Sequence, residues 1–190
     1  GLEVGAAQTL TVSTCNQHVP IGPLTNHGTV AWTDGVFHIQ STNAVVNAID
    51  GVWEVQGDLT LTSTNCGSPT FANVGLLRKT AGTGTMTVAS CVALTNTGTL
   101  DLQSGALAVQ APATLTSSGH VTAGAGTTFY LAGVTLESGS TFSGTGTLRM
   151  NGTTTVTGDL TVPVPVLLEG TVTGAGKLTL AAAMTWTVGT

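Results

Sequence analysis

Apolar residues recur in this chain at fixed offsets from a series of glycines: Gly28, Gly51, Gly75, Gly98, Gly119, Gly146 and Gly176. Two residues after each stand Val30, Trp53, Leu77, Leu100, Val121, Leu148 and Leu178. Four residues after stand Trp32, Val55, Lys79, Leu102, Ala123, Met150 and Leu180, and four before stand Leu24, Asn47, Phe71, Leu94, Leu115, Phe142 and Val172. Only Lys79 and Asn47 break these columns. An apolar residue at every second position marks a strand with one buried face. Such strands, repeating with a period of about 21–24 residues over most of the chain, mark a β-solenoid, in which each copy is one coil and buries its inward face only against its neighbours.

Each coil contains two or three strands. A second set follows further corners: Val36–Ile39, Leu59–Leu61, Met86–Val88, Leu107–Val109 and Phe129–Leu131, with Thr, Ala or Gln between the apolar positions. β-branched Thr suits an outward pleated surface, while glycine and asparagine at corners suggest positive φ. No segment carries a 3.6-residue apolar period with caps, so helix is not expected. The expected fold is a single all-β domain over residues 1–190, a parallel solenoid of about eight coils. Residues 1–23 form a first coil and a turn-rich connection, 24–132 the regular coils, and 133–190 less regular coils ending in an open strand. The run Val162-Pro163-Val164-Pro165-Val166 falls in that last part, and because proline cannot donate to a ladder it is expected to bulge from the stack or cross an edge.

Composition narrows the functional classes. Only 7% of residues are charged, with a net charge of −5. Arg78, Lys79, Arg149 and Lys177 form no stripe that could neutralise phosphates, which argues against nucleic acid as a partner. No apolar run is long enough for a transmembrane helix. A first residue that is not Met suggests a matured chain or a piece of a longer one.

Cys15, Cys66 and Cys91 lack metal spacing. Cys66 precedes Gly75 by nine residues and Cys91 precedes Gly98 by seven, nearly the same point on adjacent coils. Stacked strands lie about 4.8 Å apart, within reach of a disulfide. Two readings stay open: a Cys66–Cys91 bridge, which implies an oxidising, extracytoplasmic setting, or small thiols filling the core.

The runs from Phe71 to Thr85 (F-A-N-V-G-L-L-R-K-T-A-G-T-G-T) and from Leu94 to Gly105 (L-T-N-T-G-T-L-D-L-Q-S-G) resemble the parallel β-helix repeats of large secreted bacterial surface proteins, of the adhesin and autotransporter-passenger kind. The resemblance implies a right-handed β-helix at the bacterial cell surface. It supplies no catalytic residues.

An enzyme on such a fold, a polysaccharide lyase or glycosidase, needs clustered acids or a base beside acids. Asp34, Asp50, Asp58 and Asp159 each adjoin a glycine and read as Asx-type turns. Glu54, Arg78 and Asp101 share the position three after the column glycine and are expected to stack as a charge ladder that sets register. His18, His27, His38 and His120 show no ligand spacing, and neither a metal nor another cofactor is expected. Trp32 and Trp53 fall in core columns. Thr-x-Thr triplets, of the sort that could order water against ice, sit at different offsets from the glycines and do not form one lattice.

Apolar alternation begins with Leu10 and Val12 and is still running at Met184, Trp186 and Val188. These five residues are the candidates for an end-to-end interface, with copies of the chain or with further coils of a longer one. The sequence therefore points to an extracellular structural or adhesive module without catalytic residues, surface glycans being a further candidate partner. A polysaccharide-active enzyme and a carbohydrate- or ice-binding solenoid are the alternatives.

Overall fold

The computed structural model describes residues 1–14, 16–20, 22–40, 43–63, 66–67, 69–89, 91–111 and 113–187. Cys15 and Val188 lie outside them. All regular structure there is β, and the strands form three walls of parallel ladders. The first sheet runs from Leu2–Val4 through Leu24–Asn26 and Ala93–Asn96 to Thr171–Thr173, nine strands deep. The second runs from Thr9–Val12 through Thr99–Leu102 to Thr141–Gly144, and the pair Leu160–Val162 and Leu178–Leu180 continues that wall. The third runs from Gln17–His18 through Ala106–Val109 to Met184–Trp186. Consecutive strands visit the three walls in turn, so the chain is a β-solenoid of about eight turns.

The inward columns follow the sequence pattern through most of the rod. Val30, Trp53, Leu77, Leu100 and Val121 are register partners on the second sheet, and all are buried. Outward positions between them carry Thr, Ala and the charged residues. Trp32, Phe37, Trp53 and Phe71 interlock edge to face through the core, with ring centroids 5.8, 5.2 and 4.9 Å apart in order. This geometry suits the ring quadrupoles better than face-to-face stacking.

Two parts of the glycine alignment shift. On the first sheet Phe71 pairs with Val45, and Asn73 with Asn47. Val45 is thus the apolar counterpart of Leu24 and Phe71, and the extra residues Ile49 and Asp50 at the following corner had moved Asn47 into the wrong column. Gly146 belongs to a different corner altogether. Phe142 pairs with Val121 on the second sheet and Leu148 with Phe129 on the third. Gly158 is the glycine that stacks against Gly176. The long apparent spacings near the C-terminus come from mixing these corners. The coils there are shorter instead: the step from Asp159 to Lys177, hydrogen-bonded across adjacent coils, is a sequence separation of 18, against 26 for the step from Asn47 to Asn73. The third wall shortens in the same way from Leu148 to Val166 and from Val166 to Met184.

The Val162–Val166 run stays in the stack. Val162, Val164 and Val166 are all buried. The two prolines face away from the core at the corner between Leu160–Val162 and Val166–Leu168, where no ladder N–H is needed. The Pro165 carbonyl accepts a bond from the Leu148 N–H at 2.9 Å, and the Val166 N–H donates to Ala183 O at 3.0 Å.

Glycines at the corners serve two purposes. Gly35, Gly82, Gly105 and Gly126 adopt positive φ, between 62° and 80°. Gly75, Gly98 and Gly119 do not; there a Cβ would collide with a backbone carbonyl of the preceding coil, Ala48 O, Gly75 O and Gly98 O respectively. Close stacking of backbones, rather than the left-handed region, excludes a side chain at these positions. The corner asparagines are likewise inward, not left-handed. Asn26 donates to Asn47 Oδ1 at 2.7 Å, Asn47 to Asn73 Oδ1 at 2.8 Å, Asn73 to Asn96 Oδ1 at 2.7 Å, and Asn96 to Ser117 Oγ at 3.2 Å. Each amide also donates to a carbonyl of the next coil: Val52, Leu76, Thr99 and His120. Burial without these partners would cost about 1 to 3 kcal/mol per group, so the ladder locks one register.

Candidate functional site

On a rod whose core is filled by its own side chains, the places open to a ligand or partner are the outer walls and the ends. On the second sheet Glu54, Arg78 and Asp101 are direct register partners. The ladder closes on one side only: Arg78 reaches Glu54 at 3.4 Å, whereas Asp101 accepts a bond from Gln103 Nε2 at 2.6 Å. The glycine-adjacent aspartates depart from the sequence expectation. Asp34 does cap its own turn, accepting from Gly35 N at 2.7 Å. Asp50, Asp58 and Asp159 instead bridge to neighbouring coils, through His27 Nδ1 at 2.8 Å, Lys79 Nζ at 3.0 Å and Lys177 N at 2.8 Å. The hydrogen bond from His27 lowers the Asp50 carboxyl below its ordinary range, and that from Lys79 lowers Asp58.

Lys79, the exception in the apolar column, is buried with 1% of its surface exposed. Its ammonium donates to Asp58 Oδ1 at 3.0 Å, Ala81 O at 2.7 Å and Gly82 O at 2.8 Å. All three protons are engaged, so the group staples a corner and offers nothing to a ligand.

His120 lies on the outer face of the second sheet between two hydroxyls. Its Nδ1 is 2.7 Å from Thr141 Oγ1 and its Nε2 2.9 Å from Ser143 Oγ, which also meets Thr122 Oγ1 at 3.2 Å. A hydroxyl next to a histidine is the first half of a nucleophile–base pair. The other ring nitrogen meets a hydroxyl where an orienting carboxylate would serve, and the arrangement reads as a polar cross-strand clasp. His18 and His27 are likewise tied, to Thr14 O at 3.0 Å and to Asp50. Burial lowers the pKa of His38, whose Nδ1 has no partner. Among the described residues no group of three His, Cys, Asp or Glu could hold a metal ion, and no helix is long and apolar enough to cross a membrane.

Cys66 and Cys91 are joined by a disulfide, with Cα atoms 5.2 Å apart across one coil step. Cys91 takes a positive φ of 63°. The bridge spans a corner beside the strand Ala93–Asn96.

Exposed apolar side chains stand at two kinds of place: Ile49 and Val74 at corners along the side of the rod, and a larger group at its ends. On the third sheet Leu148 and Val166 are buried, but their next partner Met184 is 45% exposed. Met150 and Leu168 lead in the same way to Trp186, 57% exposed. Val172, Leu178 and Leu180 complete this end, each only partly covered. At the opposite end Leu2 is 48% exposed, and Leu10 is partly buried while Val12 is covered. Leu2, Leu10, Val12, His18 and Phe37 border a hollow of about 340 Å³ there. No protein-family model, curated protein or solved structure matches this chain.

Proposed function

We propose that this protein is a structural or adhesive rod module of the extracellular cell surface, non-catalytic, whose ends stack on further β-coils. Its likeness to bacterial adhesin and autotransporter repeats supports the setting, as does the Cys66–Cys91 disulfide, which calls for an oxidising compartment. The observation that carries the reading is the exposure of inward columns at both ends. A free solenoid end presents unpaired strand groups and an apolar slab, both of which another coil satisfies.

A second copy of the chain fits as that coil. Continuing the columns head to tail places Val172 over Leu2, Leu178 over Leu10, Leu180 over Val12 and Trp186 over His18. Leu178 and Trp186 are eight residues apart, as are Leu10 and His18, so the second and third walls align without a change of loop length. A contact of this kind is heterologous and propagates as a filament. Sedimentation velocity over a range of concentrations tests it. The expected result is concentration-dependent growth that the double substitution Met184→Asp, Trp186→Asp abolishes; a monomer at every concentration would overturn the stacking.

A further inference from the structure

The outer face of the third sheet carries a second feature, independent of how the ends assemble. Thr87, Ala108, Tyr130 and Arg149 are successive register partners across four strands. Ala108 points outward yet is 6% exposed, because its neighbours on both sides stand taller. Thr87 and Tyr130 are two strand steps apart, roughly 10 Å. The resulting groove measures about 320 Å³ and is lined by Thr85, Thr87, Ala108, Gln110, Tyr130 and Asn151 among others.

Tyr130, the sole tyrosine of the chain, is fixed from behind. The Arg149 guanidinium lies 5.2 Å from the ring centroid on the far side, and Arg149 is itself held by two hydrogen bonds to Glu169. The ring therefore turns its other face to the space over Ala108. The charge behind it is neutralised by Glu169, and no charged side chain lines the groove. Two hydroxyls, Thr85 and Thr87, and two amides, Gln110 and Asn151, border the space. None of these four side chains has a hydrogen-bond partner among the described residues.

We infer that this groove binds one pyranose ring of a neutral saccharide, with the C–H face of the sugar on Tyr130 and its hydroxyls on Thr85, Thr87, Gln110 and Asn151. An aromatic face on an apolar floor, rimmed by neutral donors and acceptors, matches a ring with one C–H face and a polar edge. A phosphorylated or sulfated ligand would meet no free cation, and an apolar one would leave the rim unpaired. Open on its outer side, the groove suits a residue within a chain as well as a chain end.

The test uses the intact protein on an array of neutral gluco-, manno-, galacto- and xylo-oligosaccharides, with sulfated and sialylated glycans and a proline-rich peptide set as further arms. Titration of a retained glycan follows, read by the ring resonances of Tyr130. Binding to one neutral series, with shifts at Tyr130, is expected. Tyr130→Ala and Ala108→Leu should each weaken it at least tenfold, the second by filling the floor without removing a contact. Thr122→Leu, an outward change on the second sheet, should leave it unchanged. Circular dichroism identical to wild type for Ala108→Leu keeps the result separate from misfolding. No neutral glycan bound at millimolar concentration, binding confined to the anionic or peptide arms, or binding indifferent to both groove substitutions would overturn the inference.

Discussion

At the residue scale, inward and outward positions one apart have opposite energetic weight. Leu100, fully buried between Leu77 and Val121, should lose about 4 kcal/mol or more when replaced by Asp, since an unpaired carboxylate would sit in the core. Outward Thr99→Asp should cost less than about 1 kcal/mol. Urea denaturation of the two variants checks the assignment. Asn73→Ala removes one rung of the asparagine ladder and leaves Thr99 O and Asn96 Oδ1 short of a donor; about 3 kcal/mol is expected, against little for outward Thr95→Ala. At Lys79 the two partners are unequal. Asp58→Ala leaves a buried ammonium without its counter-charge, whereas Lys79→Met frees a carboxylate that is already half in water. The aspartate variant should melt at the lower temperature.

Acid sensitivity follows from the same residues. The folded-state pKa of His38 lies below its ordinary value, so the folded protein holds fewer protons there than the unfolded chain. Its contribution is complete above about pH 6.5 and is lost as the pH falls toward the folded value. Asp50 and Asp58, also lowered, contribute above about pH 4 and lose it below. The melting temperature should therefore fall in two stages on acidification. His38→Gln should remove the upper stage, and a slope between pH 7 and 5 identical to wild type in that variant would contradict the assignment.

At the scale of the coil, the disulfide closes a segment with a sequence separation of 25, worth about 3 kcal/mol on loop-entropy grounds. Peptide mapping without reductant should recover Cys66 linked to Cys91, and reduction should lower the stability by about that amount; both thiols alkylating fully in the native, unreduced protein would contradict it. The coil was legible in the sequence wherever alternation and glycine spacing agreed, as from Leu77 to Val121. It was misread where an insertion at Ile49–Asp50 moved Asn47, and where shorter coils let Gly146 stand in for a different corner. Offsets from a glycine cannot tell one corner of a three-sided coil from another. The asparagine ladder was present as x-N-x-G, but that motif also marks an ordinary turn, and only the stacking shows the amides turned inward. The groove beside Tyr130 was hidden for a related reason. It depends on Thr87, Ala108 and Tyr130 being neighbours across coils, and those residues are a full coil apart from one another in the chain.

For the whole molecule, three walls with eight steps of about 4.8 Å give a rod about 40 Å long. Low charge leaves little repulsion between ends that meet. Whether the rods add end to end in register, as proposed, is decided by electron microscopy of the concentrated protein. Unbranched filaments are expected, with a subunit repeat of nine strand steps, about 43 Å, and a strand repeat of about 4.8 Å along the axis, both lost on Met184→Asp, Trp186→Asp. Single particles one rod long at every concentration, or filaments that the double substitution leaves intact, would contradict it.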